Sequence, residues 1–263
     1  MLNTFAAAWK LTCYQLLSKK QLWFTCILLI APIIASLAVR QGVRFNPDLA
    51  YPRMVSALLA NVLIPFVGLL WGTTLLTDEI DGKTLVYLWT RPQGRAMLFT
   101  ARAVFLAVCL AIFSFTAVTS VYLCIFMGQR SGENLWSNAA MIIWDTRALA
   151  LGAIAYAAGG LLLASLFKRA LVVGLVYVFA VDGPVQFLPG FLRKLSLRHY
   201  VLSLTTHPDV QRPRGVLKLL EKSNTPETEA ILTLGIVACV MAAIGIYILL
   251  NREFLGDDPA RAQ

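Results

Sequence analysis

Residues 103–127 read AVFLAVCLAIFSFTAVTSVYLCIFM, an apolar stretch without one charged side chain. About 20 such residues in a helix cross ~30 Å of hydrocarbon at ~1.5 Å per residue. Its polar members, among them Ser114, Thr116, Thr119 and Ser120, are mostly hydroxyls that bond their own backbone or a neighbouring helix. The same search gives further spans at 21–39 (with Pro32 as a tolerated kink), 55–76, 139–167 and 230–250. In the fourth of the six the cleanest part is 148–167, and the apolar run 139–144 extends it. A fifth span, 170–192, is awkward, because 170–181 is too short to cross before Asp182-Gly183-Pro184 interrupts it. It is either a broken span or a half-span followed by a re-entrant or surface helix. A broken span keeps its two neighbours in one topology, so the expected fold is an all-α integral membrane protein of six transmembrane helices.

The composition agrees. Of 263 residues, 58% are hydrophobic and only 14% charged, against roughly 25% in soluble domains. That excludes an ordinary soluble globule and a disordered chain. The net charge of +9 points to anionic headgroups or acidic partner surfaces rather than nucleic acid. Cys13, Cys26, Cys109, Cys124 and Cys239 lie in or beside apolar segments without a CxxC pair, which reads as free thiols. His199 and His207 have no companions for a zinc site, and no HExxH helix exists. Gly82-Lys83-Thr84 is not a P-loop, since Thr77 stands where the first glycine belongs. No span carries a His/Glu, Ser/His or paired-Asp constellation, so catalysis by this chain is not expected, nor is a bound cofactor or metal.

Residues 1–20 form an expected amphipathic helix, with Leu2, Phe5, Ala6, Trp9, Cys13, Leu16 and Leu17 on one arc. Such a helix lies flat in the interface or simply begins the first span. The first span is too long for the apolar core of a cleaved signal. Trp23, Tyr51, Trp136, Trp144 and Tyr247 fall near span ends, where amphipathic rings favour the headgroup level. Positive charge favours an inner N-terminus once the basic run 193–222 is set aside; counted with it, the charges leave the orientation open. Asp182 is the single charge expected within the membrane, capping a helix break or facing water. Small-residue stripes at Gly68/Gly72, Ala153/Ala157 and Ala238/Ala242/Gly245 favour close helix packing.

The most informative connection is 77–102, TDEIDGKTLVYLWTRPQGRAMLFTAR. It opens with Asp78, Glu79 and Asp81, continues with the short apolar run Leu85-Val86-Tyr87-Leu88-Trp89, and turns at Arg91-Pro92-Gln93-Gly94-Arg95, where Pro92 and Gly94 are expected to break a helix. The run is too short to span and too apolar for a solvated loop, so it should dock on a surface. That surface belongs either to a partner or to this chain's own spans.

Glu79, Thr84-Leu85, Leu88 and Thr90-Arg91-Pro92-Gln93-Gly94-Arg95 resemble the loop between spans 2 and 3 in permease subunits of the ABC exporter family, second class. The six-span layout and the interfacial helix resemble that bacterial family too; the departure is Lys83 where the family commonly has glycine. The resemblance implies a non-catalytic permease, residues 21–263, that pairs with a second permease chain, identical or not. It also implies two cytosolic ATPase subunits holding ATP and Mg, a location in the bacterial plasma membrane, and both termini in the cytoplasm. Residues 77–102 would couple to the ATPase through Leu85, Leu88 and Trp89, with Glu79, Arg91, Pro92 and Arg95 fixing register. Lys168-Arg169 would be a second contact and residues 1–20 the connecting helix. The outer segment 191–229, basic at Arg193, Lys194 and Arg198, is a lid over the exit path or a headgroup-binding face. The scarcity of fixed charge suits a lipophilic or amphipathic cargo. The rival readings are a membrane-embedded enzyme, and a membrane anchor or assembly factor that the 77–102 loop would serve equally well.

Overall fold

Hydrocarbon offers no hydrogen-bond partners, so a chain this apolar must satisfy its backbone internally. In the computed structural model, which describes residues 19–41, 46–81, 92–127, 139–167, 169–185, 194, 196–205 and 226–251, the regular elements are all helical. They are α1 (Lys19–Arg40), α2 (Pro47–Met54), α3 (Ile64–Asp81), α4 (Pro92–Phe126), α5 (Ala140–Leu166), α6 (Ala170–Val176), α7 (Gly183–Val185), α8 (Leu197–Ser203) and α9 (Glu227–Asn251). A π-helical segment, Val55–Leu63, joins α2 to α3 without a break, and a second, Tyr177–Asp182, joins α6 to α7.

Five stretches are long and apolar enough to cross a membrane: Trp23–Arg40, Pro47–Thr74, Ala103–Phe126, Ala140–Leu166 and Glu227–Ile248. The remaining expected span, the fifth, is a shorter apolar helix, Ala170–Val185. It does not break at Asp182-Gly183-Pro184; the backbone widens to π geometry and stays helical through Val185. The second span begins earlier than residue 55 because Asn46 caps it: its side chain accepts from the Asp48 N–H at 3.1 Å, and Pro47 takes the first turn. Pro92 opens α4 instead of ending a helix, and Gly94 and Arg95 lie in its first turn. The 35 residues of α4 run roughly 52 Å, about 20 Å more than the ~30 Å hydrocarbon core. Residues 1–18 and 82–91, hence nearly all of the amphipathic helix and the apolar run of the loop, lie outside the described residues; Lys19 and Lys20 are the first turn of α1.

The core forms around α5, which packs on α3, α9, α4, α6 and α8. Two of the small-residue stripes make its closest contact. A Cβ on Gly72 would sit 2.2 Å from the Ala157 carbonyl oxygen, and one on Gly68 would sit 2.7 Å from that of Ala153. Gly160 returns the contact at 3.0 Å from the Leu69 carbonyl oxygen. The third stripe sets α9 on α5, where a Cβ on Gly245 would meet Leu162 Cα at 3.2 Å. In hydrocarbon, helix association rests on such contact rather than on water exclusion. Because Gly68 meets Ala153 and Gly72 meets Ala157, α3 and α5 run parallel. At the other flanks, α1 and α9 leave apolar rows open, Trp23, Ile27, Ile30 and Ile34 on one and Leu232, Ile236, Val240 and Tyr247 on the other, as lipid-facing helices do.

Two glycines make the packing testable. Gly72→Ala is expected to lower stability by on the order of 1–3 kcal/mol through overpacking. Gly235→Ala, where nothing lies within 4 Å of an added Cβ, should be neutral or gain up to ~1 kcal/mol from helix propensity. Thermal unfolding of the detergent-solubilised variants checks both; equal effects at the two sites would contradict the close approach.

Candidate functional site

Both π segments end two residues before a proline, Leu63 before Pro65 and Asp182 before Pro184. A proline inside a helix has no N–H, and its ring crowds the carbonyl four residues earlier. The helix accommodates this by widening: the Ile64 N–H bonds to Leu59 and the Gly183 N–H to Val178, each five residues back. For Pro65 the crowded carbonyl is that of Asn61, which loses its donor four residues on. A donor comes from a distant segment: the Arg198 guanidinium, on α8, donates to the Asn61 carbonyl.

α8 is therefore packed into the bundle. Val201 is fully buried, and one of its methyls fills the space where Gly152 lacks a side chain, 2.6 Å from an ideal Cβ. Gly152 is next to the midpoint of α5, so α8 packs against the middle of that helix. Leu197 and Arg198 are buried with it, while Lys194 is exposed.

Asp182 anchors the same helix. It is 1% exposed and accepts from the Tyr156 hydroxyl at 2.5 Å and from the Ser196 hydroxyl at 2.6 Å. Its charge attracts the Arg198 guanidinium, whose Nη1 would lie 3.4 Å from a Cβ on Gly183. Lying 12 residues beyond Ala170, Asp182 sits about 15–18 Å from the α5–α6 turn. Neither a cap at the end of a helix nor a group facing water describes it. The cluster thus joins both π segments, α5 and α8.

Asp182 is also not alone. Asp145, in the second turn of α5, is 2% exposed and accepts from the Tyr51 hydroxyl at 2.8 Å. Tyr51, near the start of its span, is 1% exposed and meets Tyr122 edge-on at 5.6 Å, with Phe126 at 5.9 Å. Near the start of α5, Arg147 pairs with Glu227 and stacks 4.4 Å over the Trp144 ring, tying α5 to the start of α9. In the membrane a central carboxylate costs ~2.5–3.5 kcal/mol on insertion scales, and donors from neighbouring helices offset that cost at both aspartates.

Of the residues singled out for coupling, Leu85, Leu88, Trp89 and Arg91 lie outside the described residues. Glu79 falls within α3, and Pro92 and Arg95 within the first turn of α4. Lys168 is likewise outside, whereas Arg169 is exposed just before α6. Parallel α3 and α5 put the end of α3 and the Arg169 turn at one end of the bundle. Asp182 joins the buried cluster, whereas Gly183 beside it is half-buried and Pro184 is exposed. Among the described residues no group of three or more His, Cys, Asp and Glu comes together as a metal site.

The family model described as ABC-2 family transporter protein matches residues 15–197, more than half of the chain. The chain belongs to the ABC-2 transporter family. It is a multi-pass membrane protein and a transport permease, a component that is generally not itself catalytic. A comparison with curated proteins returns no match. Within this ABC-2 permease the match takes in the 77–102 connection, both π segments and Asp182, and ends at the first residue of α8.

The two Asp–Tyr bonds give a direct test. A double-mutant cycle between Tyr51→Phe and Asp145→Ala should yield a coupling energy of about 1–3 kcal/mol, the range for a hydrogen bond to a charged group. Unfolding of the four proteins in detergent measures it. A coupling of about 0.3 kcal/mol or less would show that the bond contributes nothing distinctive.

Proposed function

We propose that this ABC-2 permease forms the translocation path of an ATP-driven exporter and is powered by separate cytosolic ATPase subunits that hold ATP and Mg. The observation that carries the reading is the family match over 15–197, which spans the connection with the acidic, apolar and Arg-Pro-x-x-Arg features. Family permeases of this kind typically work with ATP-binding subunits. Residues 77–102 act as the coupling element: Leu85, Leu88 and Trp89 seat in a cleft of the ATPase, and Glu79, Arg91, Pro92 and Arg95 set its register. The continuous rod from Pro47 to Asp81 enters that connection directly, and α4 leaves it, so closure of the ATPase pair pulls on both spans. Arg169, at the same end of the bundle, and Lys168 supply the second contact.

A second permease chain completes the path, and residues 1–20 lie along the membrane as the connecting helix. The protein sits in a bacterial plasma membrane with both termini in the cytoplasm, and its cargo is lipophilic or amphipathic. The open apolar rows of α1 and α9 are compatible with lipid and with a second chain.

The test is to purify the tagged chain from its native membrane in mild detergent. A stoichiometric ATPase is expected with it, and its hydrolysis should fall several-fold in Leu85→Ser/Leu88→Ser/Trp89→Ser. Arg91→Ala/Arg95→Ala should keep the complex yet lose nucleotide-driven transport. A chain that emerges alone, or with partners that hydrolyse nothing, turns the reading into an anchor or assembly factor.

A further inference from the structure

We infer that Arg198 and Asn61 form a buried binding site for one water molecule, which accepts from the Arg198 Nε–H and donates to the Asn61 Oδ1. The site lies where α8 meets the rod Pro47–Asp81 and does not depend on what the permease carries.

A guanidinium carries five N–H donors in a rigid planar fork and has no acceptor. Arg198 is 6% exposed, so its donors have to be met inside the protein. Nη2 donates to the Asn61 carbonyl. Nη1 faces Gly183, and the Asp182 charge attracts the group from the same helix. That leaves Nε, which is buried without a hydrogen-bond partner among the described residues, and Asn61 Oδ1 is in the same position. One of the two is a donor and the other an acceptor. They belong to residues already in contact, because Nε is two bonds from the Nη2 that reaches Asn61, and in the fork one Nη2–H runs parallel to the Nε–H. An acceptor and a donor are thus wanted in one small region.

A single water oxygen with its two hydrogens meets both needs. Such a bridge is nearly as favourable as a direct bond, whereas a charged donor left unpaired in an apolar core is costly. Buried waters sit where two to four polar groups converge and the packing leaves room. Here the packing has slack: a Cβ added to Gly183 would come no closer than 3.4 Å to Arg198, so about one methyl group would fit beside the guanidinium. Asn61 itself is only half-buried and lies in the wider turns of the Val55–Leu63 π segment. The other unpaired buried atoms are of a different kind. The Ser114 and Thr119 hydroxyls can turn to carbonyls of their own helix. Thr146 and Arg147 stand near the start of α5, where the Arg147 side chain is 38% exposed to its surroundings.

A crystal structure of the unaltered full chain, grown from lipid and at a resolution that shows ordered water, tests the site without any variant. A density peak about 2.7–3.2 Å from both Arg198 Nε and Asn61 Oδ1 is expected. A direct bond between the two atoms, or a gap without a peak, overturns the inference. Asn61→Leu keeps the size and the backbone carbonyl but removes the acceptor, so the peak should disappear; a peak that stays in place overturns the part assigned to Asn61. Solid-state NMR of the chain in liposomes with ¹⁵N-labelled arginine gives a second readout. Magnetisation should pass from water to the Arg198 Nε, a signal identified by its loss in Arg198→Lys, and should fall at least about threefold in Asn61→Leu. No transfer to that nitrogen in the unaltered chain also overturns the site. None of these outcomes depends on a partner ATPase, so the transporter reading stands or falls separately.

Discussion

Each N–H and C=O inside hydrocarbon has to find its partner within the protein, and two prolines placed in helices make that requirement local. Pro65 and Pro184 each remove a donor, each is preceded by a π segment, and the consequences meet at one place. The carbonyl orphaned by Pro65 is served by Arg198, and that arginine belongs to a helix whose leading serine is held by Asp182, two residues before Pro184. The carbonyl that Pro65 deprives of its ordinary helical donor thus draws an arginine into the bundle, on a short helix that Leu197, Val201 and Leu204 seat in the apolar core. The close contact of α3 with α5 fixes the frame in which this happens, because Gly68 and Gly72 let two backbones touch.

The spans were legible because apolar runs of sufficient length leave little choice of structure. The start of α5 was legible too, in the apolar run 139–144, yet reading it only to Trp144 hid Asp145. A carboxylate next to a span end reads as solvated, and only packing reveals Tyr51 from another helix covering it. The same holds for Tyr51 itself, whose ring fits both the headgroup level and a buried hydrogen bond. Arg198 stood among Arg193 and Lys194, and charge alone assigns all three to a surface. Its distinguishing signal was Pro65, an uncharged residue in a different span that announces a carbonyl in need of a donor.

Pro184 was read as a break, which its chemistry justifies, but the chain had a gentler solution. A π turn spreads the crowding over a wider ring without surrendering the helix, so the segment Ala170–Val185 remains continuous while falling short of the other spans. Pro92 shows the opposite case: at a helix start its missing N–H removes nothing, and α4 begins there.

The two helices that flank the 82–91 segment differ in stiffness. α4 runs from Pro92 to Phe126 with no internal proline, whereas the rod on the other side is interrupted by π geometry at Val55–Leu63. A displacement applied at their shared end therefore travels undiminished along one and is partly absorbed in the other. A tilt of α4 by about 5° would carry the far tip of a ~50 Å lever through about 4 Å. The same push leaves the stretch beyond the π segment nearly where it was. The bundle would respond by shear rather than as a piston, opening at one end while its other contacts hold.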